Sequence, residues 1–279
     1  MIELNEEQIS KIKEGFFIPS KPEILTQIQK VIISDEPKVS VLADIIAKDI
    51  GLASAIFKTI NSPVFGFNRK ISNIKQAVMF LGLTKVEAII TCLLLKDAFK
   101  GESCISLERF WDNSNDVANA MLHVGQHVKA KVPLETLYTV GLFHDCGVAA
   151  MSIKYSDYKD ILTESNNSHS ESLVDIEDRN YKTNHACVGF HIATTWHLPK
   201  EICELILNHH ALDFLQASDC DMVSYAYVTL KAAENMVESI NRHRTIYDWS
   251  FIKEECLQLL GITDSDYDDS TKDFVENLN

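Results

Sequence analysis

DIGLASAIFKTINSPVFGFNRKISNIKQAVMFLG, residues 49–82, reads as two amphipathic helices joined by a loop. Asp49 offers a side-chain oxygen to cap the first helix. Leu52, Ile56 and Ile60 recur along it at helical spacing, as a core-facing stripe does. Asn61-Ser62-Pro63 ends it, because proline cannot donate to a continuing helix. Ser72 is placed to cap the second helix, whose stripe is Ile74, Ala77, Val78 and Leu81. Gly82 then stops it.

The same punctuation extends in both directions. Ser20-Lys21-Pro22-Glu23 has the form of a capping box with proline in the first turn and opens a helix through Ile33. Thr84 to Glu87 repeats that form after Gly82. Ser106 is set to cap a long helix from Leu107 to Lys129, with Phe110, Ser114, Val117, Met121, Val124 and Val128 along one stripe. Pro133 restarts a helix that ends near His144. Pro199 opens another, containing Ile202, Leu205, Ile206, His209 and His210. Asp221 to Ile240 is a further long helix, and Asp248 caps one that stops at Gly261. The acidic run from Asp264 to Glu276 reads as helical too, whereas Ser165 to Ser170 reads as an exposed polar loop. Strand-like alternation is rare and no Asn-Gly or Asp-Gly dipeptide occurs, so the pattern predicts an all-α protein. Its expected organisation is an N-terminal helical lobe (1–104), a helical core (105–247) and an acidic C-terminal helical extension (248–279). The softest boundary is Lys100-Gly101-Glu102-Ser103.

Composition narrows the function. The chain has 279 residues, 46% of them hydrophobic, which is enough for a substantial core. A net charge of −14 repels a phosphate backbone, so nucleic acid is not an expected partner. No apolar run reaches the roughly 20 residues of a membrane span. The N-terminus lacks a basic stretch followed by an apolar one. The seven cysteines are scattered, odd in number and never spaced as CxxC, which argues for free thiols in a reducing compartment. The expected location is the cytoplasm. No GxSxG elbow and no GxxxxGK[ST] phosphate loop occurs.

What remains is a set of histidines and aspartate. His144-Asp145, in GLFHDCG, sits where a helix ends, and there adjacent side chains can turn toward one ion or a pair. Imidazole nitrogen with carboxylate oxygen suits iron, manganese or zinc. A carboxylate bridging two metals also helps to generate a hydroxide nucleophile. His185 lies near the start of a helix, and His209 and His210 lie at the end of the next. Their spacing alone says little. His123/His127 and Cys187/His191 each share a helix face at i, i+4, which reads as packing or surface chemistry.

Taken jointly, the order of these pieces resembles the HDOD family, the regulatory relatives of HD-type phosphohydrolases. The resemblance runs through Asp49, Leu52, Asn61-Ser62, Ile71, Ile74, Ala77 and Leu81-Gly82. It continues through Phe110-Trp111, GLFHDCG, His185, Val188-Gly189, Trp196, Leu198-Pro199 and His209-His210. It implies an HD-type helical core with an N-terminal helical lobe. It also implies that His185, His209 and His210 converge on His144 and Asp145 as ligands of one divalent ion, with Asp145 as the candidate catalytic group. The implied role is bacterial signal transduction through a protein partner or a small-molecule ligand. No fused receiver or output domain is evident, so the partner is expected to be a separate chain. The alternative is a metal-dependent phosphohydrolase acting on phosphate esters or nucleotides.

The chain departs from the enzyme pattern at Asn113, where an imidazole is usual, and at Lys231-Ala232-Ala233, where a late aspartate is usual. Glu234 stands nearby, out of register. Val148 replaces a lysine, and Ala211-Leu212 replaces the acidic and Gly-Tyr-Pro sequence of HD-GYP phosphodiesterases. These departures predict at most one bound ion and little hydrolysis.

Overall fold

The computed structural model describes residues 15–16, 18–61, 69–99, 101–128, 131–168, 170–217 and 221–278. The expectations for the polar N-terminus, Ser62-Pro63, Lys100, Lys129 and His169 lie outside these residues. The described residues are helical, with no strand among them. Ser20–Ala98 forms one compact unit; Phe99–Glu276 forms the other, with the described residues up to Pro19.

The first unit contains α1 (Glu23–Ile32), α2 (Val39–Ala47), α3 (Ile50–Ile60), α4 (Ile74–Leu81) and α5 (Leu83–Ala98). Its core is Leu25, Ile28, Leu42, Ile46, Ile56, Ile60, Val78, Val86 and Ile90, all inaccessible to solvent. The stripes on residues 49–82 therefore face inward, as their spacing predicts. Asp49 accepts from the Leu52 N–H at 3.1 Å, the expected cap. Three other caps differ. Asn73, not Ser72, caps α4 by accepting from the Gln76 N–H. Pro22 precedes α1 with no side-chain cap, so Ser20 closes no box. α5 begins at Leu83, directly after Gly82, which leaves Thr84 inside the helix rather than in front of it. In the last case the left-handed φ of 80° at Gly82 supplies the corner that a cap would otherwise mark.

Asn61 fastens the end of α3. Its amide donates to the Phe57 and Ile71 carbonyls at 2.8 and 2.9 Å, and its oxygen accepts from the Ile71 N–H at 2.7 Å. Replacing Asn61 with alanine removes all three bonds and is expected to cost about 2–3 kcal/mol, at about 1 kcal/mol for each net bond. Urea unfolding followed by helical circular dichroism measures the loss.

The second unit contains α6 (Leu107–Val124), a 3₁₀ turn (Gly125–His127), α7 (Leu134–Phe143), α8 (Cys146–Lys154), α9 (Tyr158–Asn167), α10 (Leu173–Tyr181) and α11 (His185–Thr195). Then come α12 (Lys200–Asn208), the short α13 (Phe214–Ala217), α14 (Asp221–Arg242), α15 (Trp249–Leu260) and α16 (Asp264–Leu278). α6 packs on α7 and α14; α11 packs on α8 and α12; α15 packs on α14. Ser106 caps α6 by accepting from the Arg109 N–H, as its position predicts. Ser165 to Asn167 belong to α9 and do not form the expected loop. Ser168, in extended conformation, ends that helix and accepts from the Glu171 N–H. His123 is a packing residue: its Nε2 lies 2.9 Å from the Ser270 carbonyl and its ring rests against Phe274 of α16. Trp196 is fully buried and donates to the Pro19 carbonyl at 2.9 Å.

Two glycines let helices approach closely enough to build a site. A Cβ on Gly147 of α8 would stand 1.9 Å from the His185 carbonyl oxygen at the start of α11. A Cβ on Gly141 of α7 would stand 2.5 Å from Ala118 Cα in α6. Among the described residues no single helix is long and apolar enough to cross a membrane. Burial pushes the Cys92, Cys187 and Cys256 thiols up to about 12, which suits inert packing groups.

Candidate metal centre

His144 and Asp145 occupy the corner between α7 and α8: His144 is the C-cap of α7 and Asp145 the N-cap residue of α8. The Asp145 side chain does not cap the helix. It turns into the site and divides its two oxygens. Oδ2 lies 3.4 Å from His144 Nε2, while Oδ1 lies 3.4 Å from His185 Nε2 and 3.2 Å from His209 Nε2. His185 opens α11, behind the Asn184 cap, and His209 is the C-cap of α12. His210 follows it and stacks obliquely on it, with ring centroids 4.1 Å apart. Thus the chain brings together all five residues picked out in the sequence.

Each of the four imidazoles has its Nδ1 committed. His144 and His209 use a common device. Both cap a helix C-terminus, where the last carbonyls lack intrahelical donors, and both donate Nδ1–H to the carbonyl three residues back. Those partners are Gly141 at 2.9 Å and Ile206 at 2.7 Å. His185 and His210 use carboxylates instead: Glu177 Oε2 and Asp248 Oδ2, each at 2.7 Å. A carbonyl or carboxylate oxygen can only accept here, so each Nδ1 carries the hydrogen. Nε2 is then left to face the centre at His144, His185 and His209. Such supports fix tautomer and ring orientation in metal sites.

His185 Nε2 and His209 Nε2 lie 3.3 Å apart. Two lone pairs at that distance need a proton or a cation between them. With the Asp145 Oδ1 separations of 3.4 and 3.2 Å, the three donors form a nearly equilateral triangle. Its centre is about 1.9 Å from each corner, close to the reach of nitrogen and oxygen ligands of a small divalent ion. His210 joins this set, with its donor atom within 4.8 Å of the others. The donors present therefore fit one divalent ion, and Asp145, His185 and His209 would hold it with His210 at the rim.

The protonation pattern agrees. Burial pulls His185 down, but Glu177 and Asp145 outweigh it and raise it to about 9. Burial also pulls His144 down, and Asp145 and Glu234 reverse this to a net rise. Burial, together with the neighbouring His210 and Lys231, drives His209 well below the ordinary value, so it is neutral. Burial opposes charge on Asp145, yet His144, His209 and His185 hold its carboxyl well below the usual range. Without an ion, one proton therefore resides on His185 beside a bare His209, and an ion entering there displaces it.

Four contributors were not legible as such. Glu234 lies with Oε1 3.5 Å from His144 Nε2 and forms a second donor set with His144 and Asp145. It was expected to be out of register, and α14 brings it in. Asp248 was expected to cap α15. It stands at the N-cap position, but in helical conformation, and its carboxylate goes instead to His210 and to Lys231, 2.8 Å away. Lys231 is fully buried, with Nζ also 2.8 Å from Glu234 Oε2. That ion pair is what meets the buried Oε2, which has no hydrogen-bond partner. Glu177 is fully buried; it accepts from the Tyr158 hydroxyl, from the His185 N–H at 3.0 Å and from His185 Nδ1. A lysine among apolar residues on α14 was the one available signal, since a buried lysine demands carboxylates. Glu177 sits among Asp175, Asp178 and Arg179, where nothing in the sequence sets it apart.

The chain belongs to the HDOD family: the HDOD domain model matches residues 18–212. It is 23% identical over 195 residues to an uncharacterized protein of Treponema pallidum (strain Nichols), a match covering 70% of this chain and 38% of that one. The chain thus spans well under half of that relative. Among solved structures it is similar to an HDOD domain protein from Geobacter sulfurreducens (TM-score 0.70, 21% identity, 98% of each chain). It is also similar to a protein from Shewanella amazonensis SB2B described as a candidate metal-dependent phosphohydrolase (TM-score 0.69, 19% identity, 98% of this chain and 97% of that one). A third is a candidate signal transduction protein from Marinobacter aquaeolei VT8 (TM-score 0.72, 15% identity, 100% of this chain and 60% of that one). These likenesses are likenesses of fold.

Proposed function

We propose that this HDOD protein is a bacterial signalling component that acts by binding, with one divalent ion (iron, manganese or zinc) seated on Asp145, His185 and His209. One observation carries the reading: all four imidazoles have Nδ1 tied to a carbonyl or carboxylate, and three face Nε2 toward Asp145. That is an expensive arrangement for histidines that only fill a core. When bound, such an ion supplies positive charge and open positions for an anionic small ligand. Asp145 is 30% exposed, so the site is reachable from solvent. His144 orients Asp145 from the far side, and Glu177 and Asp248 hold two of the rings in place. A partner protein would sense the ligand-bound state. The Marinobacter protein's description as a signal transduction protein is consistent with this role.

Metal-dependent hydrolysis of phosphate esters or nucleotides is the second reading. It is favoured by Glu234, which adds a carboxylate beside His144, and by the description of the Shewanella protein. There Asp145 would be the catalytic group.

Protein purified with neither added metal nor chelator is expected to carry about one iron, manganese or zinc per chain, lost in Asp145→Ala. Elemental analysis measures this. Cyclic dinucleotides, nucleotides and simple phosphate esters are expected to show little or no turnover. Metal-dependent turnover abolished by Asp145→Ala would establish the second reading instead. No metal retained, and none taken up on dialysis against manganese, iron or zinc, overturns both.

A further inference from the structure

The donor atoms fall into two overlapping sets that share Asp145. One holds Asp145, His185, His209 and His210; the other holds His144, Asp145 and Glu234. A carboxylate offering one oxygen to each set is what a two-ion centre requires. The second set, however, has a neighbour that the first lacks. Lys231 is fully buried, and its Nζ sits 2.8 Å from Glu234 Oε2 and 2.8 Å from Asp248 Oδ2. Both carboxylates are themselves largely buried, at 12% and 4% exposed. Through them the ammonium touches each set: Glu234 reaches His144, and Asp248 holds His210.

We propose that the Lys231 ammonium is a built-in cation that neutralises Glu234 and keeps the His144–Asp145–Glu234 position free of metal, so that the centre takes one ion. The inference rests on the metal reading above. An ion bound to Glu234 Oε1 would share a single, largely buried carboxylate with a fixed positive charge, where water screens the repulsion only weakly. Displacing the ammonium is also costly, because Lys231 is fully buried and its departure would leave two largely buried carboxylates without their cation. The residue thus sets ion number without being a ligand.

The test is ion count in the full chain after dialysis against manganese, read by elemental analysis. Electron paramagnetic resonance is the second readout, because two manganese ions about 3.5–4 Å apart are magnetically coupled and one is not. Wild type and Lys231→Arg are expected to hold one uncoupled ion. Lys231→Met is expected to hold two, with a coupled signal. Because that variant leaves two carboxylates without their cation, Lys231→Met with Asp248→Asn restores the charge balance and is expected to hold two as well. Glu234→Gln with Lys231→Met removes the carboxylate and its cation together and is expected to hold one ion, since the second position then lacks Glu234.

Two ions in wild type, one ion in folded Lys231→Met and Lys231→Met with Asp248→Asn, or two ions in Glu234→Gln with Lys231→Met would each overturn the proposal. No ion in any of these proteins would instead remove the metal reading on which it rests.

Discussion

Gly147→Ala is expected to destabilise the second unit by about 3 kcal/mol or more and to empty the metal centre, because overpacking at a backbone contact cannot relax through side-chain motion. Alanine in a helix interior is ordinarily better than glycine by about 1 kcal/mol. Here the added methyl would stand 1.9 Å from the His185 carbonyl oxygen and 2.8 Å from the Gly189 nitrogen. The obstruction is backbone on both counts, so α8 must move away from α11. Asp145 leads α8 and His185 leads α11, so the same displacement opens the donor triangle. Gly189→Ala is the internal comparison. Its methyl would stand 3.1 Å from Ile206 Cγ2, 3.3 Å from the Gly147 nitrogen and 3.4 Å from Cys146 Sγ, tight contacts that need shifts of a few tenths of an ångström rather than a collision. It is expected to cost about 1–2 kcal/mol, less than Gly147→Ala. Urea unfolding with elemental analysis separates the two variants; equal stability of Gly147→Ala and wild type would show that the helix contact is not tight.

The contrast between these glycines and the rest of the chain shows what sequence reading reaches. Helix starts at Asp49, Ser106, Pro133 and Pro199 were legible because capping is decided within a few residues. The inward faces of α3 and α4 were legible because burial follows periodicity. His144, Asp145, His185, His209 and His210 were legible as a set through the joint order of pieces along the chain. Glu177, Glu234, Lys231 and Asp248 were not. Apart from the Lys231–Glu234 pair, three residues apart on α14, their partners lie 8 to 90 positions away: His185 for Glu177, His144 for Glu234, Asp248 for Lys231. No local pattern distinguishes a carboxylate that caps from one that reaches across helices, and Asp248 has the sequence position of the first and the contacts of the second. The difference between Ser72 and Asn73 is of another kind: both can cap, and backbone conformation chose between neighbours.

Glu177→Ala is expected to cost about 3–5 kcal/mol, the loss typical when one member of a buried charged pair is removed. The carboxylate serves three buried donors: the Tyr158 hydroxyl, the His185 N–H and His185 Nδ1–H. Alanine leaves all three without an acceptor in a region closed to water. Glu177→Gln keeps the volume and one acceptor oxygen, so it should fold more readily, but its amide turns donors toward donors. The His185 ring then loses its anchor, and metal affinity is expected to fall about 10–100-fold.

The pH dependence carries a sign. In the metal-free protein His185 is raised from 6.5 to about 9, with burial opposing and Glu177 first among the groups that raise it. A raised folded value means that stability from the charged ring is fully present below the unfolded value of 6.5 and is lost as pH rises through about 9. The stability difference between wild type and Glu177→Gln is therefore expected to be larger at pH 6 than at pH 10. Chemical unfolding at both values, with chelator present, measures it. A difference that stays constant, or grows with pH, would show that Glu177 acts on His185 by hydrogen bonding alone and not by charge.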